Sequence, residues 1–325
     1  MKRRAAALSG SIAFVLALVG LAVGPVDAAA PAATAAAPAS QSAAPAPRII
    51  KGNIVIRKAT PWFVLLMISR KDGSDGMCGG TAISTRWIVT AAHCLEQAEE
   101  SGMIKDFSRP GSATRDLTVV NRKLSYAAVN PVSLPMAESL PPRARIRWKR
   151  LVVPGSYVHN RTTWPGTNIP VENIRNDIAL IQTASPMNTK PLPYSSKRAF
   201  GNGLPLQVLG FGLEESDNPF SVSEFLKIAS VSDLAGFNLA GCGSYLSGHP
   251  SIDMATNICA GAADGADSCR GDSGGPLKTA GRRQALVGVV SWGPDCGGGT
   301  EAPGVYTRVS AFAKWIRKIT GVRPQ

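Results

Sequence analysis

The sequence predicts an all-β domain of the sandwich or barrel class, carried behind an export leader. Three observations lead there. From Ile49 onward, short apolar or β-branched runs recur at 62–68, 87–90, 178–181, 206–209 and 285–291, each bounded by Gly, Pro, Asn or Asp. The chain is rich in turn formers, with 33 Gly and 24 Pro, and many short strands joined by such turns pack as sandwiches or barrels. A single late segment has helical spacing.

Taken in order, the chain opens with Lys2, Arg3 and Arg4, an apolar run over 11–23, and small residues around Val26, Asp27 and Ala28. That is the pattern of a signal peptide over 1–28. The apolar run is shorter than the roughly 20 residues that a spanning helix needs, which argues against a membrane anchor. Residues 29–48 are almost wholly Ala, Pro, Ser, Thr and Gln and end at Arg48. Such a segment has too little apolar surface to offset its ordering entropy. It reads as a pro-segment, with a plain linker as the alternative. Residues 49–325 form the domain proper.

Within the domain, 96–167 contains seven prolines and only fragments of strand pattern, and much of it is expected to be surface loop. Val309, Phe312, Trp315, Ile316 and Ile319 recur at helical spacing, with Lys314, Arg317 and Lys318 on other faces, and predict a docking helix over about 309–320. The sequence shows no internal repeat.

Composition narrows the function classes. Six cysteines in an exported chain imply up to three disulfides, and no CxxC pair or Cys/His spacing suits zinc. The net charge is +13, most of it beyond residue 48, since residues 1–48 carry Lys2, Arg3, Arg4 and Arg48 against Asp27. The basic residues are scattered except at 143–150. No nucleic-acid module accompanies them, so a solvated basic face is expected.

The chemistry rests on few residues. Of the three histidines, His93 follows an apolar strand in Thr90-Ala91-Ala92-His93-Cys94, where small neighbours let other side chains approach the ring. His159 and His249 lie in loop-like contexts and are expected to be exposed bystanders. Ser273 lies in Gly271-Asp272-Ser273-Gly274-Gly275-Pro276. Flanking glycines suit a nucleophile on a tight turn, because they allow unusual backbone angles and close approach of a carbonyl. The segment also fits the loose GxSxG pattern of α/β-hydrolases, but those run Ser, acid, His, and no His follows Ser273. Several Asp residues lie between His93 and Ser273. Asp177 is the best placed, because Ile178-Ala179-Leu180-Ile181 follows it into a buried strand. There a carboxylate can hold an imidazole tautomer.

The blocks Thr90 to Cys94, Asn176 to Leu180 and Gly271 to Pro276 resemble, in order, the three signature blocks of trypsin-like serine proteases of the chymotrypsin family, here expected to be a secreted, bacterial member. The resemblance runs from Ile49 to about Thr320. It implies two six-stranded antiparallel β-barrels around a catalytic crevice, at about 49–185 and 186–308, followed by the C-terminal α-helix. It implies a serine endopeptidase that cuts after Lys or Arg, with His93, Asp177 and Ser273 as triad and the N–H groups of Gly271 and Ser273 as oxyanion hole.

The same resemblance places Asp267 at the floor of the primary pocket beside Ser268, with Gly293 and Gly304 as its walls. Ser291, Trp292 and Gly293 become the strand that pairs with substrate. It implies the disulfides Cys78–Cys94, Cys242–Cys259 and Cys269–Cys296. Cleavage after Arg48 would free Ile49 to pair with Asp272. Lys51 departs from the pattern, standing where glycine is usual. No cofactor or metal is expected. The implied partners are protein or peptide substrates and proteinaceous inhibitors, with no nucleic acid and no membrane after processing, for a secreted, extracellular monomer.

Between His93 and Asp177 lie 83 residues, more than compact relatives carry. The excess could narrow access, bind a partner or do neither. Two rival readings are a non-catalytic binding protein on the same fold, which would typically lose a triad member, and a protease of other specificity.

Overall fold

Residues whose side chains alternate between two packed layers, or sit wholly between them, set the architecture. The clearest case is β4 (Trp87–Thr90), four consecutive apolar or β-branched residues that are all buried. It is flanked by the equally apolar β11 (Ala179–Thr183) on one side and by β3 (Asp75–Ala82) on the other. The computed structural model describes residues 49–325 apart from 57, 58, 71, 73, 108–112, 122, 124, 198–202, 235–241, 243–247 and 295. The leader over 1–28 and the segment over 29–48, with Arg48, lie outside the described residues.

Among the described residues the strands fall into three antiparallel sheets. One has eight strands in the order β5-β6-β8-β11-β4-β3-β2-β7. Its further members are β2 (Phe63–Ser69), β5 (Ile104–Lys105), β6 (Thr114–Val119), β7 (Ser125–Val129) and β8 (Trp148–Pro154). It curls on itself where Ala127 and Ile146 exchange both backbone hydrogen bonds, at 2.9 and 3.1 Å. The roll from β8 round to β7 therefore has the six strands expected, and β6 and β5 extend it beyond β8.

The second sheet begins with β1 (Asn53–Ile54) and continues through β12 (Pro205–Gly210), β13 (Lys227–Asp233), β14 (Asn257–Gly261), β15 (Pro276–Thr279), β16 (Leu286–Trp292) and β17 (Gly304–Arg308). Its order is β1-β13-β12-β15-β16-β17-β14, and a β13–β14 pairing closes six of these strands into a barrel. A smaller hairpin pairs β9 (Val158–Thr163) with β10 (Pro170–Arg175). A 3-10 turn (Val309–Phe312), which buries Val309 and Phe312, leads into the C-terminal helix (Ala313–Thr320), which buries Ala313 and Ile316 and ends on Gly321 in the left-handed region.

Two sequence expectations need correcting. The stretch over 96–167, read mainly as loop, carries β5 to β9 and a short helix (Leu134–Glu138). Of its described prolines, Pro135 sits in the first turn of that helix, Pro154 ends β8, and Pro131, Pro141, Pro142 and Pro165 lie outside the strands, so they interrupt the strand pattern without preventing pairing. The basic cluster is not merely a solvated face. Arg145 donates to the Leu140 carbonyl and lies over the Tyr126 ring, Arg147 donates to the carbonyls of Lys123 and Ser125, and Arg150 makes a two-bond fork to Asp116. These guanidiniums tie β8 and the chain leading into it to β6 and β7.

All three expected disulfides are formed, with Cα–Cα distances of 6.3 Å for Cys78–Cys94, 5.0 Å for Cys242–Cys259 and 5.0 Å for Cys269–Cys296.

Candidate active site

His93 is the first residue of the helix His93–Glu100, set there by β4 and the buried pair Ala91 and Ala92. Asp177 precedes β11 and follows Asn176, whose φ of 55° lies in the left-handed region that Asn tolerates. That turn aims the carboxylate at the imidazole. His93 Nδ1 lies 2.7 Å from Asp177 Oδ2, and the His93 backbone N–H donates to Oδ1 at 2.9 Å. Asp177 is 1% exposed and His93 16%.

The second sheet completes this carboxylate's shell. Ser291 Oγ donates to Oδ2 at 2.6 Å, and Thr307 Oγ1 donates to the Asp177 carbonyl at 2.7 Å. Burial opposes ionisation of Asp177, but the facing His93 and the hydrogen bonds from His93 and Ser291 outweigh it and hold the carboxyl below its usual value. Burial likewise disfavours imidazolium at His93, and the Asp177 charge and hydrogen bond reverse that, raising its pKa.

Ser273 lies between Gly271 and Gly274, at φ 98° and 76°. A β-carbon on Gly274 would collide with Thr90 Oγ1 and stand 3.1 Å from Ala91 N, so the segment bearing Ser273 rests directly on the chain that delivers His93. The Ser273 carbonyl accepts from Gly79 N at 2.7 Å, and Gly274 N donates to Val290 O at 2.9 Å, which ties the turn to both large sheets. Asp272 N and Gly275 N are also taken up by backbone carbonyls. Among the described residues, those of Gly271 and Ser273 are not.

Beside Ser273 is a pocket of about 270 Å³ whose lining includes Ser268, Ser291, Trp292, Gly293 and Gly304, together with the Cys269–Cys296 disulfide. Asp267 lies behind Ser268 and is fully buried. Its Oδ1 accepts from Ser268 N at 2.7 Å, whereas Oδ2 has no hydrogen-bond partner. A β-carbon on Gly304 would stand 2.7 Å from Asp267 Oδ1 and 3.1 Å from both Ser268 Oγ and Tyr306 OH, so a side chain there would cover the carboxylate. Burial pushes the Asp267 carboxyl up to about 8 despite the Ser268 hydrogen bonds, and the charge of Asp272 adds to the rise.

Asp272 is buried too, with Oδ1 accepting from Gly212 N at 2.7 Å and Oδ2 from Cys269 N at 2.8 Å. Burial lifts it to about 6 against those two bonds. Ile49 is fully buried in the second sheet's core with Leu206, Val208 and Ile258.

The model for the trypsin family matches residues 49–145 and 148–316. The chain belongs to that family. Among its relatives are phenoloxidase-activating factor 3 of Holotrichia diomphalia, 32% identical over 79% of this chain and 68% of that protein, and transmembrane protease serine 11E of mouse, 32% identical over 85% of this chain and 55% of that protein. Serine protease 56 of mouse is 29% identical over 85% of this chain, and the match spans 39% of its own length. The relatives are mostly insect and mouse proteins, which gives the expected bacterial origin no support.

Several features of this trypsin-family chain escaped sequence reasoning. His249 is not an exposed bystander. Its ring lies 4.6 Å from Trp292 and 5.2 Å from Trp164, the residue after β9, and burial lowers its pKa. Ser251 Oγ fastens the same loop to the hairpin, donating to Glu172 O at 3.2 Å and accepting from Ile174 N at 2.8 Å.

His159 is not a bystander either, since its Nδ1 lies 2.7 Å from Glu96. Lys51 takes φ 59° and donates to the Asp264 carbonyl, so lysine fills the position where glycine was expected at the cost of a left-handed backbone. No local pattern announces these contacts, because each joins segments far apart in the chain. The sulfurs of Cys78 and Cys94 lie with a His93 nitrogen within 4.8 Å of one another, but as a disulfide they offer no thiolate to a metal.

Proposed function

We propose that this chain is a secreted serine endopeptidase that hydrolyses bonds after Lys or Arg. The observation that carries the specificity is the buried Asp267, whose Oδ2 is unpartnered behind the pocket that Ser273 borders. A guanidinium or ammonium entering the pocket supplies the missing charge-assisted bond and favours the ionised carboxylate.

In this reading Ser273 Oγ attacks the scissile carbonyl while His93 takes its proton. Asp177 holds the imidazole tautomer and stabilises the imidazolium. The N–H groups of Gly271 and Ser273, not spent on internal carbonyls, receive the oxyanion; one such donor is worth roughly 3–4 kcal/mol in the transition state. His93 then protonates the leaving amine, and water resolves the acyl-enzyme on Ser273. The edge at Ser291, Trp292 and Gly293 pairs with the substrate backbone.

Activation follows cleavage after Arg48. The new Ile49 amine pairs with Asp272, a buried carboxylate held by two neutral N–H donors, and that pairing supplies the counter-charge burial calls for. Among the described residues no helix is long and apolar enough to cross a membrane. The processed enzyme acts as a monomer on protein substrates and is open to proteinaceous inhibitors.

The test is to profile the Ile49-started enzyme on a peptide library by mass spectrometry, beside Ser273→Ala. Cuts after Lys and Arg that vanish in the variant support the reading. Cuts that persist in Ser273→Ala, or that ignore Lys and Arg, overturn it.

A further inference from the structure

A second pocket, of about 450 Å³, opens at the far end of the helix that begins with His93. It is lined by Glu96, Glu99, Glu100, Arg115, Tyr157 and His159, among others. Glu96 lies three residues after His93, one turn along and on the same face. Both of its oxygens are engaged. Tyr157 OH donates to Oε1 at 2.9 Å, and His159 Nδ1 lies 2.7 Å from Oε2. These partners come from the segment leading into β9 and from β9 itself, across more than 60 residues of sequence.

We infer that Glu96, clamped by Tyr157 and His159, is a positioning residue for His93, its carboxylate adding to the field of Asp177 on the imidazole. The inference rests on the proposed role of His93 as general base.

The groups that face Glu96 determine the sign. On its own helix stand His93, Glu99 and Glu100. Arg115, on β6, spends its guanidinium on the carbonyls of Phe107 and Tyr157 and lies 5.8 Å over both rings. From β9 come Tyr157's neighbour Val158 and His159. From β10, Glu172 reaches His159 Nε2 at 3.7 Å. Asp177 stands before β11.

Negative charge at Glu96 favours the imidazolium of His93, and a protonated His159 counters it. His159 is itself held above the ordinary imidazole value, chiefly by its hydrogen bond to Glu96. The β9–β10 hairpin therefore tunes the pH at which the imidazole becomes available as a base. Its contacts to the helix are a use for the long segment between His93 and Asp177.

The experiment measures the acid limb of kcat/KM, which reports the free enzyme's base, for the processed chain and two variants at low ionic strength. Glu96→Gln keeps the hydrogen-bonding shape and removes the charge, so the limb moves to lower pH by roughly half a unit. His159→Asn removes the countering cation and moves the limb to higher pH by a similar amount. Covalent labelling of Ser273 by an organophosphonate to full stoichiometry shows that each variant is folded.

Opposite displacements support the inference. Limbs unchanged from wild type, or displaced in the same direction, overturn it. If Glu96→Gln does not fold, the half-exposed His159→Asn reads the same coupling alone, an upward displacement supporting the inference and none overturning it. Hydrolysis that survives His93→Ala would instead overturn the reading of His93 itself.

Discussion

Ser291 Oγ stands 2.6 Å from the same Asp177 oxygen that faces His93 Nδ1 at 2.7 Å. One carboxylate oxygen thus receives a hydroxyl from β16 of the second sheet and an imidazole from the helix that follows β4. Replacing Ser291 by Ala leaves that buried charge one donor short, and a hydrogen bond to a charged group is worth about 1.5–3 kcal/mol. Urea unfolding of Ser291→Ala should show a loss of that size. An unchanged midpoint would mean that the hydroxyl is not a structural partner of Asp177.

Removing the charge of Asp177 acts on His93 more directly. Asp177→Asn takes away the field that raises the imidazole pKa, so the acid limb of kcat/KM should move to lower pH. The plateau rate should fall by about 10⁴-fold, the loss known for this exchange in triad enzymes. Stopped-flow or plate kinetics across pH 5 to 9 reads both effects, and a limb that stays in place counts against the coupling.

Asp267 carries the proposed pocket chemistry. Asp267→Ser should cut kcat/KM for Lys and Arg substrates by roughly 10²–10³-fold, the cost of losing one partner of a buried charge pair. Labelling of Ser273 by an organophosphonate should be unaffected. Retained Lys/Arg preference would remove Asp267 from the pocket.

The same carboxyl gives a pH signature. Burial lifts it to about 8, and a cationic ligand binds its ionised form. Affinity for a benzamidine-type cation should therefore strengthen as pH rises toward about 8 and level off above it, with proton release on binding below that point. Calorimetry in two buffers of different ionisation enthalpy measures both. Affinity independent of pH over this range would contradict the assignment.

Trp164 stands over His249, which packs in turn on Trp292, a residue lining the pocket beside Ser273. Trp164→Ala should open that side of the cleft. The expected result is a several-fold rise in kcat/KM for peptides extended on the N-terminal side of the cut bond, with single-residue esters unchanged. Equal effects on both substrate lengths would show that the hairpin does not narrow the cleft.

The sequence by itself was enough for those features written in contiguous residues. The run 87–90 is the buried strand β4 to the residue, and the helical spacing after Val309 is the terminal helix. Small residues around His93 and glycines around Ser273 are local requirements of close approach and positive φ, so they show in a few letters. The apolar run after Asp177 singled it out among several Asp residues, and the resemblance added the disulfide pairings.

Only the tertiary structure decided what meets across the chain. It revealed that Ser291 and Thr307 complete the shell of Asp177. It placed His159 on Glu96 and His249 between two tryptophans, and it turned a proline-rich stretch into strands stapled by arginines. The physical reason is that periodicity encodes which face a residue presents to its own element. The partner of a polar side chain depends on how distant strands are registered, and that is settled by the packing of the whole core.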